Sequence, residues 1–322
     1  MQGPDLTQCK HMSRVYSLSE PSVPRKPGEE RQAQHVPQSI SPALAQRWTD
    51  LLIDSDRRYF AAGATMHRVP GGRLALMPGL TSLSAGAVVL IGETREIVLD
   101  PLAWRDAAVA VCAARGVRQL RFYTSATDAT LSSALASAEI PSFFEIAMAG
   151  YAAHLDQGSD AGEVHWSLRE ITTPALWRTK QRLHDQTPER PDNKAADAKS
   201  WVRLERAKTV AGYMSPYLIE RNGEACGAFG LSFTPGMLRF KNFFITPEHR
   251  GRGAATAAVR LVAREALMRG IESVGCWVLA GSHSGRLYER AGFTKVGRQM
   301  EWLTPVGANT TFNGTRPRNA IS

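Results

Sequence analysis

The sequence predicts an α/β protein with a mixed, mostly antiparallel sheet flanked by helices, an arrangement that occurs twice along the chain. Three observations predict this fold. Patterns typical of strands and helices alternate through two segments, about 41–160 and 164–303. Both segments have the same order, a hairpin-rich opening followed by strand, helix, strand, helix and strand, which indicates a duplication. In the second segment, an apolar strand also runs through a glycine-containing loop into a long amphipathic helix.

The ends of the chain differ from these two segments. Residues 1–40 are polar, contain several prolines and lack periodicity, which predicts disorder. Residues 304–322 contain few apolar residues and predict a flexible tail. Of the 322 residues, 43% are hydrophobic and 21% are charged, as in soluble globular proteins. No apolar window is long enough to span a membrane, and the first residues lack the apolar run of a secretory signal.

Cysteine spacing and charge restrict the possible partners. The four cysteines lie far apart, with no CxxC pair and no spacing typical of a metal site. We therefore expect reduced thiols, no bound metal and a cytoplasmic location. The net charge of +9 is compatible with nucleic-acid binding, but the arginines are scattered and no zinc finger or RNA-binding motif accompanies them. We expect neither a nucleic acid nor a membrane as a partner.

In the first segment, short apolar runs bounded by Gly or Ser predict strands, and apolar positions three and four residues apart predict helices. The predicted elements, in order, are helix Ala43–Ala61, strands Leu74–Met77, Ala87–Ile91 and Glu96–Leu99, helix Trp104–Arg115, strand Leu120–Tyr123, helix Leu131–Ala138 and strand Glu145–Leu155.

The second segment gives the same types of signal, with a hairpin turn at Asn222-Gly223. Its predicted elements, in order, are strand Trp166–Ile171, helix Pro174–Asp185, hairpin strands Tyr217–Glu220 and Ala225–Phe233, strand Leu238–Ile245, helix Gly253–Met268, strand Ser273–Leu279, a short helix through Tyr288 and strand Gln299–Leu303.

The stretch with the most chemical information is the loop Arg250-Gly251-Arg252-Gly253-Ala254-Ala255, between a strand and the longest helix of the second segment. The two glycines permit a ligand to approach the backbone closely. The first turn of the helix has unpaired N–H groups and the positive end of the helix dipole. Together these features are typical of a pyrophosphate site.

The loop resembles the acetyl-coenzyme A loop of the GCN5-related N-acetyltransferases (GNAT), Arg/Gln-x-x-Gly-x-Gly/Ala, through Arg250, Gly253 and Ala255. Downstream, the stretch from Leu287 to Phe293, Leu-Tyr-Glu-Arg-Ala-Gly-Phe, resembles the second signature of that family. One helix and one strand separate the two motifs, as the family requires. Residues 164–303 are therefore identified as a catalytic GNAT domain.

The resemblance implies an N-acyltransferase that moves an acetyl group from acetyl-CoA, its co-substrate, to a primary amine of a small molecule or peptide. The amine attacks directly in a ternary complex, with Tyr288 as general acid; a residue that only packs the helix is the alternative for Tyr288. The residues that the resemblance places against the coenzyme are Phe244, Ile245, Arg250, Gly251, Arg252, Gly253, Ala254 and Ala255.

The general base is not identified by the resemblance. Many family members have a glutamate on the strand before the loop, but residues 238–243 contain no carboxylate. Glu301, His283 and a chain of waters are the candidates. Arg239 and Lys241 should share one face of that strand, either in an acceptor groove or toward solvent.

The first segment has a strand and a helix at residues 96–105 but no glycine loop, and Pro101 and Trp104 occupy the corresponding place. We expect a degenerate GNAT-like domain, residues 41–160, that packs against the second and helps to build its groove. Two other functions stay open, acetylation of a protein N-terminus or lysine and a non-catalytic acyl-CoA-binding regulatory protein. The oligomeric state is also open.

Overall fold

The computed structural model describes residues 40–81, 83–157, 164–187 and 198–307, and the backbone of Val15–Ser17. Nearly all of the predicted disordered segment 1–40, and residues 308–322 of the predicted tail, lie outside the described residues. The predicted flexible tail, residues 304–322, is wrong at its start, because the last strand includes Thr304 and Pro305.

The described residues form one twelve-stranded sheet with helices on both faces. The strands are β1 Val15–Ser17, β2 Thr65–Val69, β3 Gly72–Leu76, β4 Ala87–Ile91, β5 Gln119–Ser125, β6 Ser142–Tyr151, β7 Trp166–Glu170, β8 Met214–Arg221, β9 Glu224–Thr234, β10 Met237–Ile245, β11 Ser273–Leu279 and β12 Thr294–Pro305. The helices are α1 Pro42–Ala61, α2 Arg95–Leu99, α3 Pro101–Ala113, α4 Ala129–Ser137, α5 Ala152–Leu155, α6 Pro174–Asp185, α7 Ala198–Val210, α8 Ala254–Met268 and α9 His283–Arg290.

The strand order is β1-β7-β8-β9-β10-β11-β6-β12-β5-β4-β3-β2. Two of the pairings, β10 with β11 and β4 with β5, are parallel, and the others are antiparallel. The predicted fold class, a mixed and mostly antiparallel sheet flanked by helices, is confirmed.

The two halves of the chain exchange their last strands. β6, the last strand of the first half, lies between β11 and β12, and β12 lies between β6 and β5 of the first half. Outward from the central β6–β12 pair, the order β11, β10, β9, β8 on one side matches β5, β4, β3, β2 on the other. This symmetry agrees with the predicted duplication.

Helix α1 of the first half covers part of the second. Its N-terminus is fixed by Ser41, whose hydroxyl accepts a hydrogen bond from Leu44 N, and by Pro42 in the first turn. Trp48 and Leu52 of α1 pack with residues of β6 and β10. Helix α8 belongs to the large apolar core on the opposite face. The central strands therefore lie between a helix from each half.

Several predicted elements need correction. Glu96–Leu99 is not a strand but the short helix α2, Arg95–Leu99. A run of three or four apolar residues is ambiguous between the two structures, and here only Ile97 of α2 is buried. The strand predicted to end at Leu155 ends at Tyr151 and continues as α5. β2 and α7 were not predicted.

Because residues 95–99 form a helix, a different strand of the first half corresponds to β10 of the second half. The counterpart of β10 is β4, and the residues that correspond to the glycine loop begin at Gly92, not at Pro101. Trp104 is a buried core residue whose indole N–H donates to Pro70 O over 2.9 Å. It therefore does not stand in the place of the glycine loop.

Lys208 of α7 connects the halves at the C-terminus of α1. Its Nζ lies 3.0 Å from Phe60 O and 2.7 Å from Ala62 O, two carbonyls at the end of that helix. Burial lowers the pKa of Lys208 to about 7, with a smaller contribution from Lys241. A neutral amine still donates hydrogen bonds to both carbonyls.

Lys208→Met is expected to flatten the pH dependence of stability above pH 7. In wild type the unfolded chain keeps the Lys208 proton up to about pH 10, whereas the folded chain releases it near pH 7. The unfolded state thus binds more protons in this window, so the free energy of unfolding rises with pH. Urea denaturation at pH 7 and pH 9 measures this rise. An equal rise in both proteins would contradict the assignment.

Candidate functional site

Strands β10 and β11 diverge and leave a gap in the sheet. They pair in parallel only over Met237–Arg239 and Ser273–Gly275. Beyond that, β10 remains paired with β9, but its register shifts between Lys241 and Phe244. Asn242 in this bulge has a φ of 50°. The edge of β10 that faces β11 is therefore not occupied by ladder hydrogen bonds along Phe244 and Ile245.

The loop after β10 exposes its backbone. Gly251 and Gly253 have φ of 73° and 88°, values that L-residues rarely adopt. A Cβ at either position would meet nothing within 4 Å. Arg250 Nε donates to Ile245 O over 3.1 Å and so fixes the loop to the strand end. Gly253 is the N-cap of α8 and supplies no side-chain cap, so the N–H groups of the first turn have no partner from that residue.

A groove of about 590 Å³ lies against this loop. Most of the residues predicted to bind the coenzyme line it, but Arg252 does not and is exposed. The structure brings together Phe244, Ile245, Arg250, Gly251, Gly253, Ala254 and Ala255.

The sequence did not predict the opposite wall of the groove. It includes residues of α6 and α7, elements that end forty or more positions before Arg250. The His184 ring lies 4.2 Å from the Phe244 ring, centroid to centroid. His249 Nδ1 is buried and has no hydrogen-bond partner among the described residues. No local motif indicates the part of this wall that comes from α6 and α7, which includes His184 at the end of α6 and Trp201.

Tyr288 lies beside the groove but is not among the residues that line it. Its ring is buried and packs edge to face against Phe293 at 5.1 Å and Phe243 at 6.3 Å. Its hydroxyl lies near the thiol of Cys276. Burial, followed by the proximity of Cys276, raises the pKa of Tyr288 well above its ordinary value. The phenol is therefore protonated at neutral pH.

The two side chains considered as bases lie in different surroundings. Glu301 is buried and forms an ion pair with Arg121, with 2.7 Å between Nε and Oε1. Its carboxylate is thus already neutralised, and a base at this position would have to break the pair. His283 is exposed and lines the groove at the start of α9.

Arg239 and Lys241 share one face of β10, as predicted, and α1 of the first half covers that face. Both side chains bind Asp56 Oδ1 of α1, at 2.7 Å from Arg239 Nη2 and 2.9 Å from Lys241 Nζ. The ammonium of Lys241 also lies 4.3 Å from the centre of the Tyr59 ring. The predicted solvent location is therefore wrong, because a helix of the first half covers this face, and the location in an acceptor groove stays a prediction.

Within the described residues, no group of three or more His, Cys, Asp or Glu side chains is arranged to hold a metal ion. None of the described helices is long and apolar enough to cross a bilayer.

Comparison with known proteins gives one family match. Residues 172–293 match the model of the acetyltransferase (GNAT) family. No curated protein matches the chain.

Solved structures share the fold at low sequence identity, so the likeness concerns the fold alone. A GCN5-related N-acetyltransferase from Kribbella flavida is 13% identical, with a TM-score of 0.53 over 84% of this chain and 97% of its own. A tandem GNAT protein from the clavulanic acid biosynthesis pathway is 16% identical, with a TM-score of 0.52 over 83% and 96%. A conserved protein of unknown function from Staphylococcus epidermidis is 13% identical, with a TM-score of 0.56 over 76% and 96%.

Proposed function

Because residues 172–293 belong to the acetyltransferase (GNAT) family, and the chain is therefore an acetyltransferase, we propose that it acetylates a primary amine of a small molecule or peptide with acetyl-CoA. One observation carries the proposal: the strand gap, the glycine loop and the uncapped start of α8 border one groove. Each of these features fits a different part of the same long, anionic thioester.

The loop and α8 fit the pyrophosphate. The N–H groups of the first turn of α8 are aligned with the positive end of its dipole. Gly251 and Gly253 keep this surface free of side chains, and Ala254 and Ala255 continue it into the helix. Arg252, although exposed, contributes its backbone between the two glycines.

The free edge of β10 fits the pantetheine arm. Phe244 and Ile245 pair on one side with Ala228 and Gly227 of β9, and their other edge faces the gap. An extended chain that contains amides can add to such an edge as a strand would. The same backbone polarises the thioester carbonyl if an N–H points at its oxygen.

Tyr288 acts as general acid in this proposal. As the C–S bond of the thioester breaks, the phenol donates its proton to the leaving sulfur. The raised pKa keeps the proton on the phenol until the bond breaks. Since a free thiol has a pKa of about 8.5 and a free phenol one of about 10, the transfer is uphill for the isolated groups, and it proceeds because the second proton lost by the nitrogen restores the phenol. A short movement of the ring or of Phe243 must open the path between Tyr288 and the groove.

The first half, by contrast, lacks the features of a coenzyme site. Its β4 is followed within four residues by the five-residue helix α2. Asp100 is the N-cap of helix α3, and its carboxylate already accepts a hydrogen bond from Ala103 N over 2.9 Å. An anion of the chain thus occupies the helix start that a pyrophosphate would need. We propose that this half is a degenerate copy that does not bind acyl-CoA.

Release of free thiol from acetyl-CoA tests the function. The purified chain is incubated with acetyl-CoA and a panel of small amines, peptides with a free N-terminus and peptides with an internal lysine. We expect thiol release with at least one amine, and the responsive class distinguishes a small-molecule enzyme from one that modifies proteins. Tight binding of acetyl-CoA without release in the presence of any amine would favour a regulatory protein.

Tyr288→Phe is expected to lower kcat by about 100-fold, the lower end of the range for loss of a general acid. Phe keeps the ring contacts with Phe243 and Phe293 and removes the hydroxyl alone. The affinity for acetyl-CoA should change less than twofold. Steady-state kinetics and calorimetry separate these effects. If Tyr288 only packs the helix, kcat will stay within a few-fold of wild type.

A further inference from the structure

A polar cluster lies between the halves, on the face of the sheet covered by α1. We call it the inter-half cluster and define it as Asp56, Glu145, Lys241 and Gln299. Asp56 belongs to α1, Glu145 to β6, Lys241 to β10 and Gln299 to β12. Gln299 Nε2 lies 2.7 Å from Glu145 Oε2 and 3.5 Å from Asp56 Oδ2.

Glu145 is on the α1 face by strand alternation. Ala147 and Ala149, two and four residues further along β6, pack with Trp48 and Leu52 of α1. Tyr288 belongs instead to the core that contains α8. Glu145 and Tyr288 therefore lie on opposite faces of the same region of the sheet.

Glu145 also lies one strand away from the wide end of the gap between β10 and β11, with β11 between them. It is directly paired with Leu279, the last residue of β11. The parallel register pairs Arg239 with Gly275, so four residues further along both strands Phe243 lies level with Leu279. The extra residue of the bulge at Asn242 shifts this alignment of β10 with β11 by about one residue. Glu145 is thus level with the part of β10 that borders the groove.

Among the carboxylates on this face, Glu145 differs in its partners. Asp56 binds Arg239 and Lys241, and Glu301 binds Arg121. Glu145 accepts a hydrogen bond from the neutral amide of Gln299, and no cation lies within ion-pair distance of it among the described residues. It is partly exposed, unlike Asp56 and Glu301. A partly exposed carboxylate that is held by a neutral amide, with Lys241 facing it beyond ion-pair distance, is available to an approaching ammonium group.

We propose that Glu145, supplied by the first half through the exchanged strand, is the general base that deprotonates the acceptor amine. This assignment rests on the proposed function. The amine meets the thioester at the wide end of the gap, with Glu145 on the α1 face of the sheet and Tyr288 on the opposite face.

The proton balance follows from this arrangement. Glu145 takes one proton from the ammonium group and passes it to solvent. The amine nitrogen attacks the acetyl carbonyl carbon and forms the C–N bond. The C–S bond breaks, and Tyr288 donates its proton to the sulfur. The second proton that the nitrogen loses restores the Tyr288 phenol, so that amide and free thiol are the products.

The surroundings of Glu145 suit the role of a base near neutral pH. Burial, followed by the proximity of Glu301 and Asp56, raises its pKa to about 7, while Gln299 and Lys241 oppose the rise. The charged and titratable groups that face it are Lys241 of β10, Asp56 of α1, Glu301 of β12 and Tyr123 of β5.

Glu145→Gln tests the assignment, with Glu272→Gln as the matched control. The control makes the same chemical change at an exposed residue just before β11, near the opposite end of the β11–β6 pairing. We expect Glu145→Gln to bind acetyl-CoA like wild type and to lower kcat/KM about 100-fold at pH 7. The variant needs the neutral amine, so its deficit should shrink about tenfold per pH unit up to the pKa of the amine. Glu145→Asp should recover part of the activity.

The other outcomes overturn the assignment. A deficit of equal size at every pH, no deficit, or loss of acetyl-CoA binding would each mean that Glu145 has a structural role or none. Failure of the proposed function is distinguishable, because wild type and Glu272→Gln would then also fail to release thiol.

Discussion

Gly253→Asp is expected to reduce acetyl-CoA binding by about 1,000-fold or more. The substitution introduces a carboxylate at the N-cap of α8, where the pyrophosphate is proposed to bind. Two like charges about 4 Å apart repel by about 4 kcal/mol at an effective dielectric constant of about 20, and each 1.4 kcal/mol corresponds to about tenfold in affinity. The carboxylate also competes for the N–H groups of the first turn.

Gly253→Asn is the matched control for this prediction. Asn has the size of Asp and tolerates the positive φ of 88° about as well, but it carries no charge. Calorimetric titration with acetyl-CoA should show micromolar binding by wild type, weakened binding by Asn and none by Asp. Equal losses in both variants would attribute the effect to backbone strain, and unchanged binding by Asp would place the pyrophosphate elsewhere.

A chain that begins at Val164 is expected not to fold, although it contains the whole region that matches the GNAT family. Both neighbours of β12, the strands β6 and β5, belong to the first half. Without them β12 has no partner in the sheet, and β11 keeps only its three residue pairs with β10. The shortened chain would also lose α1 and leave Arg239 and Lys241 without Asp56. Buried charges without a partner are strongly destabilising.

Two proteins test whether the second half fails to fold alone or folds and only loses activity. The first is the fragment 164–322, expected to be insoluble or to lack a cooperative thermal transition. The second is the full chain with a protease site placed between residues 157 and 164. After cleavage its two pieces should elute together and still bind acetyl-CoA, because the exchanged strands hold them. A soluble fragment 164–322 that binds acetyl-CoA would refute the prediction.

The sequence predicted most elements and the core of the candidate site for physical reasons that are local. The glycine loop and the helix after it lie in one continuous stretch, so their chemistry is visible in the order of residues. The predicted strand Glu96–Leu99 is wrong, because a run of four residues is too short to distinguish the two-residue period of a strand from the 3.6-residue period of a helix. Seven of the eight predicted coenzyme-binding residues line the groove, and Arg252 does not.

The strand exchange could not be predicted from local patterns. β6 has the same apolar alternation whether it pairs with its own half or with the other, so no residue of it indicates its neighbours. For the same reason no local pattern indicates that Glu145 of the first half lies next to β11 of the second half. The partners of Arg239 and Lys241 likewise lie more than 180 residues away in the chain.

The central position of β12 affects the order of events during synthesis. The pairing of Pro305 with Gln119 and of Gln299 with Ser125 joins residues more than 170 positions apart. Chains are made at about 5–20 residues per second, so β5 waits on the order of ten seconds or more for its neighbour. During that time the edges of β5 and β6 are exposed on a nascent chain. The fold is thus completed late, and those edges lack their partner in the sheet until the final strand has been made.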